Sequence, residues 1–163
     1  MKVNIALLTV TDTRTIDNDK SGAILVKKIE EAKHNLIDRK ICKDNKDEIV
    51  VILKNWLQNN QIDVIITTGG TGLTGRDITP EALDVIADKH IPGFGEIFRY
   101  LSLKTVGTSS IQSRACAVLA KGKYIFALPG SSGGVTDAWE GILKHQLDIN
   151  HKPCNFVELI PRL

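Results

Sequence analysis

Four glycines, an arginine and an aspartate crowd the stretch Thr67-Thr68-Gly69-Gly70-Thr71-Gly72-Leu73-Thr74-Gly75-Arg76-Asp77-Ile78-Thr79-Pro80-Glu81. Glycine permits positive φ and lets backbone amides approach a phosphate closely. Threonine hydroxyls add donors, and Arg76 adds a fixed cation. Thr79-Pro80 then opens a helix, with Thr at the cap and Pro at the first helical position. Donors, a cation and a helix N-terminus together suit a phosphorylated ligand. The plain alternative is a glycine-rich connection with no ligand. A second loop, Pro129-Gly130-Ser131-Ser132-Gly133-Gly134, also falls between a strand and a helix. It reads either as a tight turn or as a partner to the first loop. Two such loops at one sheet edge fit a ligand with phosphates, or two ligands that meet there.

Two familiar phosphate motifs nearly fit and fail on physical grounds. Gly70-x-Gly72-x-x-Gly75 matches the dinucleotide fingerprint as letters, but Pro80 delays the helix until after the glycines. That fingerprint also follows the first strand of its unit, whereas this loop follows the third. Gly70-x-x-x-x-Gly75-Arg76-Asp77 has Arg for the phosphate-binding Lys and Asp for the magnesium-binding hydroxyl.

The elements that must position these loops alternate in type. Val3–Val10 is nearly continuous in apolar residues, as a strand covered on both faces would be. Asn18-Asp19-Lys20-Ser21 signals a helix start, and Ile24, Leu25, Ile29 and Ala32 give a helical stripe to about His34. Leu36–Cys42 predicts a second strand, polar at alternate positions and so near an edge. Asn45-Lys46-Asp47-Glu48 resembles a capping box ahead of the Ile49, Ile52, Leu53, Trp56 and Leu57 face. Ile62–Thr68 predicts a third strand and Lys123–Leu128 a fourth. Further helices are expected from Thr79, around Glu96–Leu103 after Pro92-Gly93, from Ser109 or Ser110 to about Ala120, and from Thr136 to about Asn150.

This alternation implies right-handed crossovers and a three-layer α/β/α fold with a mainly parallel, doubly wound sheet. In such sheets ligands sit beyond the carboxyl ends of the strands. Three strand ends are chemically loaded: Thr11-Asp12-Thr13-Arg14, Thr67 to Asp77, and Pro129 to Gly134.

The length of 163 residues predicts one domain over 1–163, without repeats or linkers. The net charge is +2, and basic residues alternate with acids, as in Lys27-Lys28-Ile29-Glu30-Glu31. That is a solvated helix face rather than the basic stripe of a nucleic-acid protein. The longest uninterrupted aliphatic run, Ile49 to Leu53, is far too short to span a bilayer, and the N-terminus reads as a strand and not a signal peptide. Cys42, Cys116 and Cys154 are distant and odd in number, so reduced thiols and a cytoplasmic location are expected. His34, His90, His145 and His151 share no ligand spacing with acids or cysteines and read as surface or core residues.

The motif Thr67-Thr68-Gly69-Gly70-Thr71-Gly72…Arg76-Asp77-x-Thr79-Pro80-Glu81 resembles the signature of the molybdenum cofactor biosynthesis family. Thr11-Asp12-Thr13-Arg14 with Asp19-x-Ser21-Gly22 is similar to its first-loop motif, and Pro92-Gly93-Phe94-Gly95-Glu96-x-Phe98-Arg99 to its central one. Ser113-Arg114 and Leu128-Pro129-Gly130-Ser131 extend the likeness. Gly107-Thr108-Ser109-x-Ile111-Gln112 and Ala138-Trp139-Glu140 point to the B-protein branch. The resemblance spans about residues 3–150 and implies a molybdopterin-binding α/β/α domain.

It also implies an activity: transfer of AMP from Mg-ATP to the terminal phosphate of molybdopterin, with loss of pyrophosphate. By motif, Asp77 becomes a catalytic or metal-positioning carboxylate, and Asp44 in Lys43-Asp44-Asn45 matches a second family aspartate. Both are implied Mg²⁺ ligands. Read as residues alone, Asp44 also fits a turn or cap acid, and Asp77 a helix cap or a partner of Arg76. The resemblance places Gly69, Gly70, Thr71 and Gly72 on phosphate, Thr79 and Glu81 around the site, and Asp12 and Thr13 near the pterin or its phosphate. Ser109, Ser110 and Arg114 fall on the pterin side, although Arg114 also reads as a surface or interface pair. Pro129, Gly130 and Ser131 transfer from the second loop. Family members are trimers or dimers of trimers, so a homo-oligomer is expected, with other enzymes of the pathway as further partners. A catalytically silent molybdopterin carrier or scaffold, and a nucleotide-binding regulator, are the competing functions.

Overall fold

A computed structural model describes all 163 residues. The strands are β1 (Asn4–Val10), β2 (Asn35–Cys42), β3 (Val64–Thr68), β4 (Lys89–His90), β5 (Cys116–Ala120) and β6 (Lys123–Leu128). They form one sheet in the order β2-β1-β3-β6-β5-β4. The first four in that order run parallel, and β5 and β4 close the far edge antiparallel. Every residue of β3 and β6 is buried, and so are six of the seven in β1. That is why their sequences are continuously apolar. β2 alternates in exposure at the edge, as its polar pattern predicts.

Helices cover both faces. On one side α1 (Lys20–Glu31) and α4 (Pro92–Val106) join the C-terminal helix to bury Leu25, Ile29, Phe94, Phe98 and Trp139 against β1, β3 and β6. On the other, α2 (Lys46–Leu57) and α3 (Thr79–Ile86) bury Ile49, Leu53, Trp56, Ala82 and Leu83. The three-layer arrangement follows. Each large side chain so buried contributes about 1.5–3 kcal/mol. The Asn45 side chain accepts from Glu48 N at 3.0 Å, the predicted start of α2. Asp19 caps α1 by accepting from Gly22 N at 2.9 Å.

The region after α4 departs from the sequence reading. Residues 109–120 were expected as one helix; instead a 3-10 turn (Gly107–Gln112) leads into strand β5. Lys121 and Gly122, at φ 46° and 73°, make a two-residue hairpin into β6. Such turns need positive φ at both central positions, which Gly122 permits. The pairing that β6 offers decides between strand and helix for the ambiguous run Cys116-Ala117-Val118-Leu119-Ala120. Arg114 therefore lies in the connection before β5, not mid-helix.

The last helix also starts earlier than Thr136. α5 (Ser132–Ala138) continues through a π turn (Trp139–Leu143) into α6 (Lys144–Gln146). Ser131 is its cap, with Oγ accepting from Gly134 N at 3.1 Å. No helix is long and apolar enough to cross a membrane.

Candidate functional site

A cleft of about 920 Å³ opens where the chain leaves the C-terminal ends of β1, β3 and β6. Only three of its 28 lining residues are hydrophobic, Val10, Phe98 and Val106, so it suits a polar, charged ligand. Its floor is the glycine loop between β3 and α3. Gly69 has φ +104°, and a Cβ there would sit 2.2 Å from the Val10 carbonyl oxygen. Gly70 has φ +70°, and its Cβ would sit 2.4 Å from Thr79 Oγ1. Both positions therefore require glycine for conformation and for space.

Side chains outside the cleft hold that loop. Thr79 was expected to cap α3; instead Ile78 is the cap residue, and the Thr79 hydroxyl donates to Gly69 O at 2.9 Å. Thr79 N donates to Gly70 O at 3.0 Å. Arg114 donates from Nε to Gly72 O at 2.7 Å and from Nη2 to Asp77 O at 2.8 Å, while Nη1 meets Glu81. Its backbone amide donates to Thr71 O at 2.8 Å. Glu81 is held below its usual carboxylate range mainly by the Arg114 hydrogen bond. Thr68 Oγ1 donates to Pro129 O at 2.7 Å, joining the two glycine loops.

Three aspartates surround the loop in different states. Asp12 pairs with Arg76, whose Nε is 2.9 Å from Oδ2, and accepts from Asp44 N at 3.1 Å. Arg76 above all, then the Asp44 amide, holds Asp12 low. Asp44 is pushed up, first by burial and then by repulsion from Asp12 and Asp77, against a partial offset from Arg76. Burial also pushes Asp77 up, but hydrogen bonds from the Thr74 hydroxyl and from the Thr74 and Gly72 amides outweigh it and leave Asp77 lowered. Its Oδ2 accepts from Thr74 N at 2.9 Å and Thr74 Oγ1 at 2.7 Å. Asp77 thus braces its own loop, and Arg76 pairs with Asp12 instead.

Asp44 and Asp77 are the two acids at the carboxyl edge that line the cleft beside the glycine loop. Mg²⁺ commonly takes one or two carboxylates and completes its shell with water and substrate phosphates. Asp44 and the remaining oxygen of Asp77 fit that pattern beside the glycine amides. No group of three or more His, Cys, Asp or Glu is placed to form an all-protein metal site. The histidines lie elsewhere: His34 Nδ1 accepts from Val3 N, and His90 is 3.8 Å from Asp84.

Of the residues expected in the site, Asp44, Asp77 and Thr13 line the cleft, with Gly69, Gly70, Thr71 and Gly72 from the first glycine loop. Ser109 and Ser110 line it from the 3-10 turn, and Pro129, Gly130 and Ser131 from the second loop. Asp12, Thr79, Glu81 and Arg114 do not line it; they hold the residues that do. Sequence reasoning gave no site role to several lining residues with chemistry of their own, among them Arg14, Ser102, Thr105 and Asp137. Arg14 bridges Gly130 O at 3.3 Å and Ser21 Oγ at 3.4 Å. Ser102, Thr105 and Asp137 form a polar wall from α4 and α5. Arg14 stood inside a quoted motif; the other three lie on helices, and the sequence does not mark which helical face turns to the cleft. At the end of the connection between β1 and α1, buried Asp19 accepts from Thr9 Oγ1 at 2.6 Å and Arg39 Nη2 at 3.1 Å.

A doubly wound sheet with two glycine loops and a polar, aspartate-lined cleft at its carboxyl edge defines an α/β protein of the ligand-binding, doubly wound class. Comparison with known proteins narrows the class. The family described as a probable molybdopterin binding domain matches residues 6–148. The chain is 44% identical over 152 residues to the molybdenum cofactor biosynthesis protein B of Escherichia coli K12, covering 93% of this chain and 89% of that protein. A crystal structure of a molybdenum cofactor biosynthesis protein B superposes with TM-score 0.87 at 39% identity, covering 90% of this chain and 92% of the other. The tungsten cofactor synthesizing protein MoaB from Pyrococcus furiosus superposes at 0.79 and 33% identity, covering 88% and 92%. The chain belongs to the molybdenum cofactor biosynthesis protein B family.

Proposed function

We propose that the protein binds molybdopterin and Mg-ATP in this cleft and transfers AMP to the terminal phosphate of the pterin. The observation that carries the reading is one of placement: Asp44, Asp77, Arg14 and Arg76 line the same polar cleft as the glycine loop Gly69–Gly72. In this reaction an oxygen of the molybdopterin phosphate bonds to the α-phosphorus of ATP. The bond from that phosphorus to the oxygen bridging to the β-phosphorus breaks, and pyrophosphate leaves. The nucleophile is already anionic, so no general base is required; charge must be screened and the groups aligned. When bound, Mg²⁺ would supply charge neutralisation on the phosphates, held by Asp44 and Asp77. The Gly70 and Thr71 amides would orient phosphate oxygens, because Gly69 N already donates to Leu128 O and the Gly72 amide to Asp77. Arg76, held by Asp12, and Arg14, beside Gly130, are the two cations lining the cleft. The family's homo-oligomeric assembly and a cytoplasmic place in the pathway go with this reading.

The test is to incubate the protein with molybdopterin, ATP and Mg²⁺ and to quantify adenylyl-molybdopterin by chromatography, beside Asp44→Asn and Asp77→Asn. Product in the wild type that vanishes in both variants supports transfer. One observation favours a binding-only carrier instead: Asp77 Oδ2 is already engaged by Thr74. Retained pterin binding with no product from the wild type would select that reading.

A further inference from the structure

Asp137 is a third carboxylate lining the cleft, on the wall opposite the metal-type acids. Asp44 follows β2, and Asp137 lies on the helix that follows β6. Three strand spacings separate those strands, about 14 Å at about 4.8 Å each. Asp137 forms none of the ion pairs of the molecule. Its one hydrogen-bonding neighbour is Thr105, whose hydroxyl lies 2.9 Å from Oδ2 and 3.0 Å from the Ser102 carbonyl oxygen. One proton serves both acceptors, so the carboxylate keeps most of its accepting capacity. Around it the cleft offers Phe98 and Val106 as its apolar surface and Ser102 and Thr105 as small polar groups.

We propose that Asp137 sets the specificity of the cleft by accepting the paired N–H donors of a 2-amino-4-oxopyrimidine ring, the donor–donor edge of a pterin. The inference rests on the proposed function, which brings a pterin to this cleft. A carboxylate presents two acceptors side by side, and the pterin edge presents N3–H and the 2-amino group side by side. Adenine offers one amino donor next to a ring nitrogen acceptor, which a carboxylate repels. The aspartates near the glycine loop face phosphate and metal, so Asp137 separates the two ligands by ring chemistry: the pterin toward α4 and α5, the nucleotide phosphates toward Asp44. Guanine carries the same donor pair as pterin and also fits this acid.

The experiment titrates wild type and Asp137→Asn with 6-hydroxymethylpterin monophosphate, with its 2-oxo counterpart 6-hydroxymethyllumazine monophosphate, and with GMP, by calorimetry. Replacing the 2-amino group by oxygen turns one donor into an acceptor and leaves shape and phosphate alone. The wild type should prefer the pterin over the lumazine by about ten- to hundredfold, the range for a hydrogen bond to a charged group. Asp137→Asn keeps an acceptor for Thr105 but presents one donor, so that preference should vanish or invert while ATP affinity holds. Equal wild-type affinity for pterin and lumazine overturns the inference without the variant and leaves the proposed function standing. Tighter binding of GMP than of the pterin overturns the pterin assignment and gives the wall to a purine with the same donor pair. Failure of the wild type to bind either pteridine overturns both this inference and the function it rests on.

Discussion

Arg114→Ala tests whether this arginine braces the site or touches the ligand. Its guanidinium makes two hydrogen bonds to carbonyl groups of the glycine loop, at 2.7 Å to Gly72 and 2.8 Å to Asp77, and meets Glu81. A hydrogen bond from a charged donor contributes about 1.5–3 kcal/mol when buried. The Arg114 side chain is 32% exposed, so roughly half of that applies to each bond. The exposed pair with Glu81 adds about 0–1 kcal/mol. The expected loss is about 2–4 kcal/mol, which for a chain of this size lowers Tm by about 4–16 °C. Calorimetry without any ligand measures it. Arg114→Lys should recover less than half, because an ammonium cannot span both carbonyls as the planar fork does. A ligand-free Tm within about 1 °C of wild type, with pterin binding lost, would refute the bracing argument and make Arg114 a direct ligand contact.

Other perturbations separate conformation from chemistry. Gly70→Ala puts a Cβ against Thr79 at a positive φ and should cost about 1–3 kcal/mol with loss of activity, whereas Gly75→Ala, with nothing within 4 Å, should leave Tm unchanged; denaturation midpoints of the two decide it. Burial opposes ionisation of Asp19, but bonds from Thr9, Gly22 and Arg39 outweigh it and leave its pKa below the ordinary 3.8. Its stabilisation is therefore complete above that value and lost as pH falls through the folded pKa, so acid titration of wild type should show a stability loss below about pH 3.8 that Asp19→Asn lacks. Burial pushes the Cys42 thiol up to about 12 and the Cys116 thiol up to about 11. At pH 8 a disulfide reagent should therefore titrate Cys154 alone in the native protein and all three thiols after denaturation, and native reaction of two would contradict it.

The strands and loops that build the cleft floor were legible because they are punctuated. Continuous apolar runs end at Thr11, Gly69 and Pro129, and each end carries glycine, hydroxyl or acid. The cleft wall was not legible. Cys116–Ala120 is short, apolar and equally compatible with helix and strand; the deciding fact is its pairing with β6, which is non-local. The Lys121-Gly122 turn was the local signal that could have found it. Misplacing that strand carried Arg114 into a helix; Ser102 and Asp137 lie within the expected helices and only Thr105 beyond an expected end, so what the sequence withheld is which helical face turns to the cleft. The roles within the motifs were also hidden. Thr79-Pro80-Glu81 has the letters of a helix start, yet the Thr79 hydroxyl reaches back to Gly69 across ten residues.

The division between lining and bracing residues has a consequence for what the signature specifies. Asp12, Thr79, Glu81 and Arg114 lie within the resembling motifs, and none of them lines the cleft. Each spends its polar atoms on the backbone or side chains of a loop: Thr79 on Gly69, Arg114 on Gly72 and Asp77, Glu81 on Arg114, and Asp12 on Arg76 and Asp44. The glycines themselves lack side chains to anchor their own conformation. Asp77 and Thr74 brace the loop from within, and Thr79 and Arg114 hold its carbonyl groups from outside, so its backbone is aligned without a ligand. The cost of ordering is met in folding rather than in binding. Substituting a bracing residue should then weaken phosphate-bearing ligands of every kind together. Substituting a lining residue such as Asp137 should discriminate between them, and that contrast separates the two classes without a structure of any variant.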